Sequence, residues 1–271
     1  MRVSVLTVTK RLGWLEQAYR QLKTQTFHNF DWVIVSEQAE KLNKEFNKAV
    51  EDNQDDELYL LFARRVKIYQ APAPIRVSNL NRSLNLGIRQ CSNADYIIFY
   101  QDFIDLDIDC FEKLLDNAVQ DERTFVTTAT INDDGNLDAR HTGINKVRKC
   151  RPDEWEANVS IAPMKIIKKL GGFDEEYDNG WSWDNVNLAQ RAALLGAKFL
   201  LDETNNPQLL YHEKETSIPI NLKFHSKNIY EVRHTGKRLI LDYLSSEGGE
   251  EQTNSVPELD EDIEKDLIIQ E

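Results

Sequence analysis

The chain is poor in cysteine. Cys91, Cys110 and Cys150 are the only three in 271 residues. Their wide spacing makes neither a zinc pattern nor a disulfide framework, which fits a reducing, cytoplasmic setting. No stretch approaches 18 apolar residues, so the sequence offers no integral membrane segment. The opening "MRVSVLTVTK" is too short and too polar to read as a signal peptide. Glycine-rich phosphate loops of the G-x-x-x-x-G-K-S/T and G-x-G-x-x-G types are absent, which argues against a kinase, an ATPase or a dehydrogenase of the dinucleotide-binding type. H-E-x-x-H and G-x-S-x-G are absent as well. Excess positive charge is also lacking: 33 Lys and Arg stand against 46 Asp and Glu, a net charge of -13. Such a surface disfavours binding along a nucleic-acid backbone but leaves room for a local basic pocket.

What is present is a hydrophobic content of 41%, enough for a sizeable core. "VSVLTV" (Val3 to Val8) and "FDWVIVSE" (Phe30 to Glu37) read as buried strands, and "DYIIFYQD" (Asp95 to Asp102) is the strongest strand signal. "LYLLFA" (Leu58 to Ala63) and "RVKIYQ" (Arg65 to Gln70) read as short strands. Helices are expected over Trp14 to Lys23, Lys41 to Val50 and Asn79 to Cys91, and from a cap at Asp107 to about Val119. Further along, "TFVTTATI" is a strand, "NVSIAPMKIIKKLGGF" a strand and then a short helix from Pro163 ended by Gly171 and Gly172. Val186 to Leu195 is a helix, and "AKFLLD" and "PQLLYHE" are extended. This alternation predicts an α/β fold with a mostly parallel central sheet, which binds ligands at the carboxyl ends of its strands. Thr9, Glu37 and Asp102 fall at such ends. Residues 247–271 carry ten acidic residues against Lys265, an acidic tail read as partly disordered or helical, and open to a role in a homo-oligomer.

Several groups carry chemistry. A carboxylate at a strand end suits Mg2+ or Mn2+, so position favours Asp102 as a ligand, with Asp105 as a helper; turn and cap duty is the plainer reading of Asp105, Asp107 and Asp109. Asp184 opens a helix beside Trp181 and Trp183. It reads either as a general base with sugar-stacking aromatics or as a helix cap with core tryptophans. His212 is a metal ligand if Asp102 is its partner, and otherwise structural. His225 and His234 lie in a basic patch with Lys223, Lys227, Arg233 and Lys237, which either faces a phosphate or solvates a helix.

Taken together, these stretches resemble glycosyltransferase family 2 and its relatives with the GT-A fold. "VSVLTVTKR" is similar to that family's opening strand, and "TQTFHNFDWVIVSE" to its Q-T-aromatic-x-N-aromatic run and second strand. "RSLNLGIRQCSNADYIIFYQD" resembles its A-R-N-x-G-I segment and metal-binding strand. "GGFDEEYDNGWSWDNVNLAQRAALLGAKF" is similar to its acceptor-side segment, with G-G-F-D-E, a Gly/Trp bend, an acidic position and L-x-x-R-x-x-x-x-G.

The resemblance implies a Rossmann-like sheet with flanking helices and a small acceptor-side subregion. Residues 1–120 would form the nucleotide-sugar half, residues 121–240 the acceptor half, and residues 241–271 the tail. It also implies transfer of a sugar from a nucleotide-diphosphate sugar, with UDP as the nucleotide and Mn2+ or Mg2+ as cofactor, to an acceptor glycan or another hydroxyl-bearing molecule. A nucleic-acid acceptor is disfavoured. The donor contacts would be Thr7, Thr9, Arg11, Glu37, Arg82, Asn85, Gln101 and Asp102, and the metal ligands Asp102, His212 and Asp105. Trp181, Trp183 and Asn185 would face the sugars. Ser36 and Glu37 stand where the family has two Asp, and Leu84 where it has Arg. Asn185 stands where many inverting members have the catalytic Asp, which leaves Asp184 as the base. Retaining transferases on the same fold carry a similar bend, and a sugar-binding protein without catalysis is the reading from another class.

Overall fold

The computed structural model describes residues 1–74, 78–132, 134–179 and 183–210. The strands are β1 Val3–Thr9, β2 Phe30–Ser36, β3 Val66–Gln70, β4 Tyr96–Tyr100, β5 Ile104–Asp105, β6 Thr124–Thr128, β7 Val147–Lys149, β8 Val159–Pro163, β9 Lys198–Asp202 and β10 Gln208–Leu209. The helices are α1 Leu15–Thr24, α2 Ala39–Asp52, α3 Glu57–Ala63, α4 Leu80–Gln90, α5 Cys110–Ala118, α6 Met164–Lys169 and α7 Asp184–Leu194. Short 3-10 turns cover Pro152–Glu154 and Glu175–Asn179. The main sheet has the order β3-β2-β1-β4-β8-β6-β9-β7, and β5 and β10 form a small antiparallel pair. β1 to β4, β6 and β9 run one way; β8 and β7 run against them. The expected mostly parallel α/β sheet is what forms.

Both faces of the sheet are covered, and the strands show it residue by residue. Val5, Trp32, Ile34, Ile98 and Tyr100 join the core under α1, α2, α3 and α5. Their neighbours Leu6, Val33, Val35, Ile97 and Phe99 join the core under α4, α6 and α7. The period of two places successive side chains on opposite faces, and both faces are apolar because both are covered. α4 lies so close on β1 that a Cβ at Gly87 would collide with Leu6 Cδ1. This close approach explains a glycine in mid-helix, where propensity alone disfavours it by about 1 kcal/mol.

Two sequence expectations are corrected. Leu58 to Ala63 is helical, as α3, rather than a strand. Asp56 accepts from Tyr59 N at 2.9 Å as its cap, and burial of Tyr59 and Phe62, three residues apart, outweighs the run's β character. A six-residue apolar run carries too little period to tell the two apart. Asp107 does not cap α5, which starts at Cys110. Gln25, at the end of α1, does that work. Its Oε1 accepts from Phe111 N at 3.0 Å, and its Nε2 donates to Asp107 O at 2.8 Å. Cys91, Cys110 and Cys150 are free thiols in the structure. Among the described residues, no helix is long and apolar enough to cross a membrane. Trp181, His212, the basic patch around His225 and His234, and the acidic tail lie outside the described residues.

The substitution Gly87→Ala is expected to cost about 1–3 kcal/mol through overpacking against Leu6. Urea denaturation reads it as a lower midpoint at unchanged slope. An unchanged midpoint would show that α4 rides higher on β1 than described.

Candidate active site

The site lies along the carboxyl edge of the parallel strands. Thr9, Ser36 and Gln70 are register partners in adjacent strands, so three strands end in a row. β8 runs antiparallel to β4, with Val159 opposite Tyr100, so β8 begins where β4 ends. Thr128 of β6 pairs with Asp202 of β9 at the same edge. One rim therefore collects Thr9, Glu37, Gln101 and Asp102 from the first half, and Glu156 to Asn158 and Glu203 from the second.

On the first bank of this rim, Asp102 is the focal charge. Its side chain is 5% exposed, and Arg11 binds it through Nε at 3.0 Å and through Nη2. Thr9 Oγ1 also donates to it and accepts from Arg11 N at 3.0 Å. The Arg11 guanidinium rests over the Phe103 ring, 5.2 Å from its centroid. A carboxylate this buried is sustained only by such pairing. Glu37, just past β2, pairs with Lys10, whose Nζ lies 3.3 Å from its Oε1. Gln101 donates from its backbone N to Asn158 O at 3.0 Å and from Nε2 to Ala157 O at 3.4 Å, joining the ends of β4 and β8. Thr7 is fully buried, and its hydroxyl accepts from the Trp32 indole at 3.1 Å. It lies beneath the site rather than in it.

Arg82 and Asn85 are engaged elsewhere. Asn85 Nδ2 donates to Phe173 O at 2.8 Å, and its Oδ1 accepts from Phe173 N at 2.8 Å, so one side chain pairs with both sides of a residue 88 positions away. Gly172 precedes that residue at φ +87°, and a Cβ there would collide with Asn85 Oδ1. Arg191 fixes the other side of the same turn, donating to Leu170 O at 2.8 Å and to Gly172 O at 2.7 Å. Asn85 of the A-R-N-x-G-I segment and Arg191 of L-x-x-R are thus two halves of one clamp. Arg82 donates to Ala73 O at 2.9 Å and lies 3.8 Å from Glu175.

Asp178 was missed by sequence reasoning. It is 1% exposed and accepts from the backbone N–H of Asn81 at 2.8 Å and of Arg82 at 3.2 Å. Ser78 Oγ accepts from Leu80 N at 3.1 Å. Together they satisfy the open amides of the α4 N-terminus, where negative charge is also favoured by the helix dipole. No local spacing signals a cap supplied from 97 residues away.

The second bank is built on the N-terminus of α7. Asp184 is its first residue, not its cap; the cap is Trp183, held in the left-handed region at φ 75°. That conformation is costly for a bulky residue and tends to concentrate at functional bends. Asp184 and Asn185 are half-buried. Burial pushes the Asp184 carboxyl above the ordinary carboxylate value, and the charges of Asp178 and Glu156 add to it. The backbone N–H groups of Asn185 and Asp184 work the other way. Asp105 stands apart from this bank: its Oδ1 accepts from Gln21 at 2.5 Å.

A polar network braces the second half. Glu203, at the end of β9, is fully buried; Thr142 Oγ1 donates to it at 2.8 Å and Arg148 Nε at 2.9 Å, with His141 Nδ1 3.6 Å away. Burial opposes its charge, but these groups overcome that and hold its carboxyl down to about 2. Arg140 is bidentate to Asp138 and 3.2 Å from Glu156.

The donor set bears on a divalent metal. Asp102 supplies the hard oxygen ligands that Mg2+ and Mn2+ take, and it already holds one cationic group, Arg11, which shows that positive charge is accommodated there. Among the described residues, no three His, Cys, Asp or Glu side chains converge to complete such a site. The remaining ligands would have to come from outside them. The last described residue, Leu210, donates its N–H to Phe103 O at 2.8 Å, one residue from Asp102, and His212 follows two positions later in sequence.

No family profile matches the chain, and no curated protein matches it in sequence. Solved structures do resemble it. A crystal structure of GalNAc-T7 with UDP, GalNAc and Mn2+ matches 98% of this chain and 54% of its own, at a TM-score of 0.66 and 14% identity. S. aureus TarS 1–349 in complex with UDP-GlcNAc matches 90% of this chain and 72% of its own, at a TM-score of 0.66 and 12% identity. Another structure of TarS 1–349 gives a TM-score of 0.59 at 11% identity over 78% of this chain and 60% of its own. The chain spans about half the length of the GalNAc-T7 chain. At these identities the likeness carries the fold: the chain has the GT-A glycosyltransferase architecture. Likeness to family 2 in particular rests on the sequence motifs.

Two expectations follow from the geometry. Asp178→Ala removes the acceptors at the start of α4 and is expected to cost about 2 kcal/mol in urea denaturation, with Asp178→Asn costing less. A loss below about 0.5 kcal/mol would show that the cap is dispensable. Glu203 titrates from its ordinary 4.5 in the unfolded chain to about 2 in the folded one. Its contribution is therefore fully present above 4.5 and lost as pH falls toward 2. Glu203→Gln should be less stable at neutral pH and show a shallower acid decline in thermal unfolding. A parallel decline in both proteins would remove Glu203 from the acid response.

Proposed function

We propose that this chain transfers a sugar from a nucleotide-diphosphate sugar, with UDP as the nucleotide, to an acceptor hydroxyl. The carrying observation is the rim itself. Thr9, Arg11, Glu37 and Asp102 stand on one bank and Glu156 and Asp184 on the other, in a fold shared with structures solved with UDP and UDP-GlcNAc. Glu37 would meet the base or ribose, since it follows β2 at the outer end of the donor row. Arg11 would pair with the diphosphate, because it is the partly exposed cation of the Asp102 cluster. Asp102 and His212 would hold Mn2+ or Mg2+, with Asp105 as a helper, and such an ion would supply charge stabilisation for the diphosphate leaving group. Trp183, with Trp181, would wall the sugar.

An acceptor held on the α7 bank approaches the anomeric carbon from the side away from the diphosphate. Displacement then inverts that carbon, with a carboxylate of this bank taking the hydroxyl proton. Asp184 is the sequence's candidate for that carboxylate. The configuration of an isolated product, read by NMR, checks inversion.

Calorimetric titration with UDP and GDP, each with Mn2+ and with EDTA, tests the donor reading. UDP is expected to bind, more tightly with Mn2+, and Asp102→Ala to weaken it by about tenfold or more, the loss typical of a charge-assisted contact. A folded protein that binds neither nucleotide contradicts the proposal.

A further inference from the structure

The second bank holds a carboxylate that the motifs do not mark. Glu156 lies in the segment between the 3-10 turn at Pro152–Glu154 and β8, beside the end of β4. Its backbone is pinned on three sides. Trp155 before it is buried and edge-packed on Phe99 and Phe125, at 5.9 and 5.6 Å between centroids. Ala157 and Asn158 after it accept from Gln101, the neighbour of Asp102. Its own carbonyl accepts from Thr127 Oγ1 at 3.2 Å. The 3-10 turn just before it packs on α7, which carries Asp184.

The side chain is held at one oxygen. Oε2 accepts from Asn158 Nδ2 at 2.8 Å and lies 3.2 Å from Arg140 Nη2. The side chain is 40% exposed, which leaves room for a ligand. Asp184 differs: it is the first residue of α7, and the backbone N–H groups of Asp184 and Asn185 favour its charged form. Burial raises the Glu156 carboxyl above its ordinary value, and Asp138 adds to this while Arg140 opposes it. Arg140 and Asp138 are the charged groups that act on Glu156, and its own charge acts in turn on Asp184.

We propose that Glu156, held by Asn158 and Arg140 between the donor rim and α7, is the catalytic carboxylate that takes the acceptor's proton, with Asp184 orienting the acceptor. This rests on the glycosyltransferase reading above. In the step, the acceptor oxygen bonds to the anomeric carbon. The bond from that carbon to the diphosphate oxygen breaks, and its electron pair leaves on the diphosphate. The hydroxyl proton passes to the unanchored Oε1 of Glu156. Asn185, an amide that cannot accept that proton, is then no defect.

The test uses the full chain with UDP-GlcNAc and UDP-GalNAc as donors and water as acceptor, following UDP release. Glu156→Gln keeps an oxygen for Asn158 and Arg140, so the fold should persist. It is expected to slow release by about 100-fold or more, the usual worth of a general base, while UDP affinity by calorimetry stays within about twofold. Glu156→Asp keeps the charge and should retain more activity than Gln. Asp184→Asn should lose less than Glu156→Gln. Release by Glu156→Gln within about threefold of the wild type overturns the proposal, as does loss confined to Asp184→Asn. A wild-type chain that binds UDP yet releases none from either donor also overturns it, leaving the nucleotide site standing. Failure to bind UDP sinks the underlying reading instead.

Discussion

The reversal of β8 is the constraint on which the site depends. A sheet of parallel strands alone would end in one row of loops carrying one set of side chains. With β8 inserted antiparallel between β4 and β6, the start of one strand meets the end of another at Gln101 and Asn158. Residues from the middle of the chain thereby reach the rim beside Asp102. Without that reversal Glu156 would lie at the opposite edge, and the two banks would not face each other. β6 and β9 then continue parallel beyond it, which sets Glu203 on the same rim.

The second organising feature is how an acidic chain keeps carboxylates inside. Asp102, Asp178 and Glu203 are each withdrawn from water, at a cost that unpaired charges could not sustain. Each is answered differently: Asp102 by a guanidinium and a hydroxyl, Asp178 by helix amides, Glu203 by a hydroxyl, an arginine and a histidine. The pairs that answer structural needs are sealed. The pair at Asp102 is left with its arginine partly exposed.

Much of the architecture was legible in the sequence because the strands are short, β-branched runs covered on both faces. The ends that carry Thr9, Glu37 and Asp102 could be placed from those runs alone. What was not legible is long-range. The clamp of Asn85 on Phe173, the bond of Arg191 to Gly172 and the cap of Asp178 on α4 join segments that no periodicity links. Motif residues that resemble ligand contacts are in these cases parts of the frame. α3 resists reading because six apolar residues suit either period, and the α5 cap because it comes from Gln25, just past the end of α1. Glu156 gave no signal, since a single acid between Trp155 and Ala157 fits no spacing rule.

The central claim is that a nucleotide occupies the rim between β1, β2 and β4. Hydrogen–deuterium exchange of the full chain with and without saturating UDP tests it most directly. The account predicts slower exchange in the segments from Thr9 to Gly13, from Glu37 to Ala39 and from Gln101 to Asp105, with the opposite edge of the sheet unchanged. Protection confined to that opposite edge, or to the outer surfaces of α1 and α2, would contradict it.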